Sequence, residues 1–182
     1  MCFPGRVQNP EAMAVVDPAS DELPPWGTEG PVQAEVFVVR LRADRLELTG
    51  PCGPAAWFIE SHEDDDPMDV VKRLSTDLMG PPLLVHSTSW RRGPGGVILT
   101  FLVVVGEDQA SDQASVPIAR AELARNSATE AASGIATSQV VEHALRHVAW
   151  LAQDDDAVKG ALSPAWLAVL EGYVPEPFRH LR

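Results

Sequence analysis

The sequence has little of what marks secreted, membrane-spanning or nucleic-acid-binding proteins. Only two of its 182 residues are cysteine, which excludes a disulfide framework. Lys and Arg number 14 against 26 Asp and Glu, and the resulting net charge of −12 disfavours binding to nucleic-acid phosphates or anionic lipid. The longest apolar run, residues 97–105, is far shorter than the roughly 20 residues of a membrane span, and no signal peptide is evident. We therefore expect a cytoplasmic protein that binds neither nucleic acid nor membrane.

The chain divides into a short arm and one domain. Six prolines fall within residues 1–31, where they oppose both helix and central strand, so this segment is predicted to be a proline-rich N-terminal arm. Residues 32–182 are predicted to form a single α/β domain. Within it, residues 34–105 should form a mixed sheet with one helix packed on it, and helices at about 117–172 should give a helical C-terminal third.

The helix predicted at 67–79 has clear ends. Asp66 is a suitable N-cap, Pro67 suits the first helical position, and Gly80 stops the helix. Val70, Leu74 and Leu78 recur every four residues and predict the apolar face that packs against the sheet.

The order of strand, acidic loop, helix, glycine stop and further strands over residues 34–105 resembles the Nudix family. The family motif reads Gly-x5-Glu-x7-Arg-Glu-U-x-Glu-Glu-x-Gly-U, where U is a bulky aliphatic residue. With Gly80 at the second glycine, Arg73 falls on the motif arginine, Asp65 on the first glutamate and Asp77 on the first residue of the Glu-Glu pair. The resemblance implies a Nudix-like mixed sheet and a loop–helix–loop whose carboxylates hold Mg²⁺ or Mn²⁺ on a nucleoside-diphosphate-type substrate.

The motif is degenerate over residues 59–81. Ile59 stands at the opening glycine, Leu74 and Leu78 stand at two glutamates, and Pro81 stands at the closing aliphatic position. The first hypothesis is therefore a non-catalytic protein that binds a nucleotide or another phosphoanhydride, or that serves as a scaffold. The alternatives are a divergent Mg²⁺- or Mn²⁺-dependent hydrolase of a nucleoside-diphosphate-linked substrate and a homo-oligomeric interaction module.

A residual metal site would use Glu63, Asp65 and Asp77, because hard divalent cations bind clustered carboxylates. The alternative is structural: Asp69, Arg73 and Asp77, spaced by four, would form a solvated ladder of charges on the helix. The acidic loop before the helix is likewise either a cation site or a charged surface loop.

The residues predicted to contact a small phosphate-containing ligand are basic or aromatic. Alternation predicts His86 and Trp90 on one strand face, with two arginines following at a glycine-rich turn, which is either an anion contact or a plain surface turn. The candidates are Arg73, His86, Trp90, Arg91 and Arg92.

Two features of the C-terminal third complete the prediction. His143 and His147 have the i, i+4 spacing of a zinc site, but Ala144 stands where the metalloprotease motif has Glu, so they also suit the polar face of a helix. Large apolar side chains in this third exceed what a short helical segment easily buries, which predicts a homodimer or larger assembly. They are Trp150, Trp166, Leu170, Tyr173 and Phe178.

Overall fold

The computed structural model describes residues 32–51, 53–61, 65–93, 96–107, 109, 113–123 and 136–174. The predicted arm at 1–31, Glu63 and Phe178 lie outside these ranges. The described residues form a mixed six-stranded sheet with helices, which confirms the predicted α/β class.

The long first strand lies at the centre of the sheet. The strands are β1 Val32–Arg42, β2 Arg45–Thr49, β3 Trp57–Ser61, β4 Leu84–Gly93, β5 Gly96–Val105 and β6 Val116–Pro117. Their order is β4-β5-β1-β2-β6, and β3 pairs with the first half of β1. β1 runs parallel to β5 and antiparallel to β2 and β3. Ala43 and Asp44 connect β1 to β2 with positive φ angles of 47° and 60°, as a tight two-residue hairpin turn requires.

The first helix, α1 Pro67–Met79, begins and ends where the sequence predicts. The Asp66 carboxylate accepts a hydrogen bond of 2.8 Å from the Met68 N–H and so caps the first turn. Gly80 has a φ of 85° and donates its N–H to the Thr76 carbonyl at 2.9 Å. A Cβ at this position would also lie 3.0 Å from Gln109 Nε2, so both the backbone angle and the space favour glycine.

The two faces of the sheet are covered by different helices. Ala34, Val36 and Val38 of β1 point to the side covered by α1, here called the α1 face. The alternate residues of β1, such as Phe37 and Val39, point to the other side, here called the α2 face. That face carries α2 Thr137–Asp154, α3 Asp156–Ala161 and α4 Pro164–Leu170.

The buried side of α1 differs from the predicted one. Val70 and Val71 are buried and so are Ser75 and Met79, whereas Leu78 is 53% exposed. The predicted apolar stripe comprises residues 70, 74 and 78. The sheet packs chiefly against a neighbouring stripe, residues 71, 75 and 79, which lies about 100° further around the helix. The prediction that Leu78 belongs to the core is therefore wrong.

Among the described residues, the C-terminal third is not helical from about residue 117 as the sequence suggested. Residues 118–123 have no regular structure, and α2 begins at Thr137 with Ala136 as its N-cap. Trp166, Leu170 and Tyr173 are at most 5% exposed because this chain's own core covers them. Their burial therefore needs no second subunit. None of the described helices is both long and apolar enough to cross a membrane.

Candidate functional site

The helix α1 carries the charged residues that the Nudix resemblance singled out. Asp69, Arg73 and Asp77 are all exposed, and Asp65 is half-buried just before the N-cap. At 1.5 Å per residue, Asp69 and Asp77 are separated by about 12 Å along the helix axis. Asp65 and Asp77 are at opposite ends of α1, so the helix itself holds apart the two described members of the predicted metal set.

The two leucines of the degenerate motif differ in environment. Leu74 is partly buried and packs against the core beneath α1, while the Leu78 side chain faces solvent. Over the described ranges, no three His, Cys, Asp or Glu side chains are grouped so that they could hold a metal ion. The third member of the predicted set, Glu63, lies outside those ranges.

A β-bulge in β4 separates the predicted ligand residues. Ser87 pairs with Phe101 and Ser89 with Thr100, so Thr88 is the extra residue that has no register partner on β5. His86 and Arg91 consequently lie on the α2 face, whereas Trp90 pairs with Leu99 and lies on the α1 face. The expected alternation of His86 and Trp90 on one face is wrong. The side chain of Arg92 lies outside the described part of the structure.

The Arg91 guanidinium is engaged within the chain. It donates two hydrogen bonds to the Glu35 carboxylate, at 2.6 and 2.9 Å, and a weaker one of 3.4 Å to Thr100 Oγ1. The Glu35 hydrogen bonds raise the pKa of Arg91. Glu35 and Thr100 are nearly fully buried, so this bidentate pair stabilises one end of the α2 face. A phosphate would compete with Glu35 for the same guanidinium.

The three histidines at 86, 143 and 147 lie together, which sequence reasoning missed. The ring centroids of His86 and His147 are 5.8 Å apart, and those of His143 and His147 are 4.6 Å apart. His86 Nε2 is buried without a hydrogen-bond partner, and burial lowers the pKa of this imidazole. Only the packing of α2 across β4 brings His86 to the helical pair, and no local pattern in the sequence signals that contact.

A buried carboxylate ties α2 to the segment after β6. Glu142 is fully buried and accepts two hydrogen bonds of 2.9 Å from Arg120 and one of 2.9 Å from Arg146. Arg120 also donates to the Gly172 carbonyl at 2.6 Å and lies over the Tyr173 ring. We call these residues the Glu142 clamp. They have a structural role that sequence analysis did not identify.

A cleft of about 510 Å³ opens beside this clamp, on the α2 face. Its walls are Leu48 of β2, residues 54–56 before β3, residues 116–119 of β6 and beyond, and the first turn of α2. Thr137 and Ser138 supply the only side-chain polar groups among these lining residues, and none of the predicted ligand or metal residues belongs to the lining. The cleft and the charged surface of α1 are therefore two separate candidate sites on opposite faces of the sheet.

No family model matches this sequence, and no curated protein is significantly similar to it.

Proposed function

We propose that the protein is a non-catalytic, Nudix-like protein that binds a phosphate-containing ligand rather than hydrolysing it. The observation that carries this proposal is the surface of α1. Arg73 and Asp77 are exposed one turn apart at motif-like spacing, but leucine occupies the two neighbouring positions where the motif supplies glutamate.

Charge and geometry on α1 both disfavour hydrolysis. Metal-assisted cleavage of a phosphoanhydride needs several oxygen ligands that converge on the ion and balance the charge of the transition state. Leu74 and Leu78 have no metal-ligating atom. Asp77 is shorter by one methylene than the motif glutamate, and Asp69 lies about 12 Å away along the axis, so the helix presents isolated carboxylates.

Binding without metal would depend on Arg73. Its guanidinium is exposed on α1, whereas that of Arg91 is occupied by Glu35. An arginine contacts two phosphate oxygens at once, which suits a phosphate-containing ligand. We expect weak binding, because the carboxylates of Asp69 and Asp77 flank Arg73 on the same side of the helix.

The decisive experiment restores the missing carboxylates. The variant Leu74→Glu/Leu78→Glu places three carboxylates, at 74, 77 and 78, within one turn of α1. If α1 corresponds to the Nudix helix, this variant should bind Mn²⁺ at least tenfold more tightly than the unaltered protein in isothermal titration calorimetry. Leu74→Gln/Leu78→Gln is the matched control, since it has the same shape without the charge.

Turnover provides the second readout. The unaltered protein should show no measurable cleavage of nucleotide sugars, dinucleotides or nucleoside triphosphates with Mg²⁺ or Mn²⁺. Turnover above ~1 s⁻¹ that Asp77→Asn abolishes would refute the proposal and favour the divergent hydrolase.

Self-association is a second candidate property, favoured by exposed apolar side chains. Phe58, Leu78 and Trp90 are each more than half exposed. Trp90 and Leu78 belong to the α1 side of the sheet, away from the C-terminal helices that first suggested an oligomer. Light scattering decides the matter: a mass near 19.6 kDa at micromolar concentration would establish a monomer.

The expected cytoplasmic location stays a prediction.

A further inference from the structure

We propose that the tip of the β1–β2 hairpin, residues 42–45, is a binding site for a phosphate group, which the guanidinium groups of Arg42 and Arg45 hold between them. This inference does not depend on the function proposed for α1, because both arginines belong to the hairpin and neither belongs to that helix.

The two arginines face each other directly across the hairpin. Arg42 is the last residue of β1, and it pairs with Arg45, the first residue of β2. Directly opposite residues of an antiparallel pair have Cα atoms about 4.5–5.5 Å apart and side chains on the same face of the sheet. Both side chains are exposed. One small ligand can therefore contact both guanidinium groups.

Neither guanidinium is neutralised within the described ranges, where no hydrogen bond or salt bridge engages Arg42 or Arg45. The next pair along the same face is Arg40 and Glu47. The Glu47 carboxylate is already engaged, since Arg40 Nε donates to its Oε2 at 3.0 Å and Ser115 Oγ donates to the same oxygen at 2.7 Å. The Ser115 hydrogen bond is the main reason why the pKa of Glu47 is lowered, and Arg42 contributes a little through space. The two exposed arginines thus remain available to a ligand.

The hairpin tip carries local costs that the fold does not require. Like charges directly opposite each other destabilise a strand pair. Ala43 has a φ of 47°, a left-handed conformation that favours glycine or asparagine over alanine. All four residues of the tip are exposed, so packing in the core does not dictate their identity. Such departures from favourable local choices are expected where side chains serve a ligand.

The chemistry of the two side chains selects an anion. Arginine has five N–H donors and no acceptor, so this pair repels a cation and binds a group that accepts hydrogen bonds. Two guanidinium forks match the several oxygens of a phosphate, and a dianion balances two positive charges where a carboxylate balances one. Asp44 opposes binding and leaves the tip with a net charge of +1, as does the net charge of −12 on the whole chain. We therefore expect an affinity in the millimolar range.

Titration of the full, isotope-labelled chain with inorganic phosphate, followed by NMR of the arginine Cζ signals at neutral pH and low salt, tests the proposal. The Arg42 and Arg45 signals, assigned from Arg42→Gln and Arg45→Gln, should shift together with one millimolar dissociation constant. Acetate at the same ionic strength should bind about tenfold more weakly, because it carries a single charge. Absence of shifts at these two signals, or equal affinity for acetate, overturns the proposal.

Phenyl phosphate distinguishes the two sources of the phosphate group. Tighter binding than that of inorganic phosphate assigns the site to a phosphate ester, and weaker binding assigns it to the free ion. Either result supports a site for this group.

Substitutions at the tip separate a phosphate site from a general surface charge. Arg45→Gln should lower phosphate affinity, followed at the Arg42 signal, about tenfold through lost charged hydrogen bonds. Asp44→Asn should raise it about threefold, because the opposing carboxylate is removed and asparagine tolerates the left-handed turn. Lys159→Gln, which removes an exposed positive charge from α3, is the matched control and should change neither signal. Affinity that is unchanged in Arg45→Gln, or lowered in Asp44→Asn, overturns the proposal.

Thermal unfolding tests whether the arginine pair serves the fold instead. Arg45→Glu replaces a like-charge pair by an opposite one, so it should unfold at the same or a higher temperature while no longer binding phosphate. A clearly lower melting temperature would show that Arg45 stabilises the hairpin and would overturn the proposal. The Arg73 signal reports α1 in the same titration. Shifts at Arg73 alone would support the α1 function and overturn the hairpin site, and shifts at the hairpin alone would do the reverse.

Discussion

Replacing Glu142 by glutamine should destabilise the protein strongly at neutral pH. The carboxylate is fully buried and accepts hydrogen bonds from Arg120, Arg146 and the Ala121 N–H. Removing one partner of a buried ion pair costs about 3–5 kcal/mol. We expect the lower end, about 3 kcal/mol, because the Arg120 side chain is 50% exposed and water can solvate it once Glu142 is neutral.

The effect should depend on pH in a defined direction. Burial is the strongest single influence on the Glu142 carboxyl and raises its pKa, but the hydrogen bonds from Arg120, Arg146 and Ala121 together outweigh it. The pKa therefore lies below its ordinary value of 4.5. A carboxylate with a lowered folded-state pKa stabilises the protein above the unfolded-state pKa and loses that contribution as the pH falls through the folded value. The difference between the unaltered protein and Glu142→Gln should be complete at pH 7 and shrink below about pH 4.5.

Urea unfolding followed by tryptophan fluorescence measures this difference. Trp166, on α4, is fully buried in the core that α2 and α4 share, so it contributes a signal from the packing that the Glu142 clamp holds. A loss of about 3 kcal/mol corresponds to a melting temperature lower by about 6–12 °C. Glu171→Gln is the control, since this exposed glutamate should change stability by less than about 0.5 kcal/mol. A loss below about 1 kcal/mol at pH 7, or a difference that persists unchanged at pH 3, would refute the reasoning.

Three further predictions concern the core and the histidine cluster. Val71→Ala should cost about 2 kcal/mol because the side chain is fully buried, and Leu78→Ala less than about 0.5 kcal/mol; equal losses in urea unfolding would contradict the assigned helix face. Ser75→Ala should raise stability by about 1 kcal/mol, because the buried hydroxyl has no hydrogen-bond partner and alanine favours helix; a lower unfolding midpoint would contradict this. Burial lowers the pKa of His86, so the unfolded chain binds the proton more readily and stability should fall as the pH drops below about 6.5. His86→Phe should reduce that loss in melting curves between pH 7.5 and 5, and an unchanged slope would exclude His86 as its source.

The features that the sequence predicted well are local ones. The ends of α1 follow from Asp66, Pro67 and Gly80, each of which acts on the backbone within one turn. The β1–β2 hairpin is equally local, since two strand-forming runs are joined by a two-residue connection. Such elements need no knowledge of what packs against them, and α1 begins and ends at the predicted residues.

The features that the sequence could not predict depend on distant contacts. Two neighbouring stripes of α1 are apolar enough to be buried, one containing Val71 and the other Leu78. Which of these two residues faces the sheet depends on how the helix packs against it, and the structure buries Val71. The bulge at Thr88 adds one residue to β4 and thereby moves Trp90 to the face opposite His86. Arg120 and Glu142 are 22 positions apart, across a segment that offers no pattern for their pairing.

The two faces of the sheet carry different candidate sites. The α1 face carries Arg73, Asp77 and the exposed Trp90, which are three of the residues that the Nudix resemblance and the ligand prediction selected. His86 and Arg91, which the ligand prediction also selected, lie on the α2 face. The α2 face carries the cleft, the histidines and the Glu142 clamp, none of which the motif describes. Because the sheet separates these groups, a substitution on one face does not directly contact the side chains of the other. Loss of binding after a change at Arg73 would therefore assign the ligand to α1, and loss after a substitution that fills the cleft, such as Ala55→Phe, would assign it to the cleft.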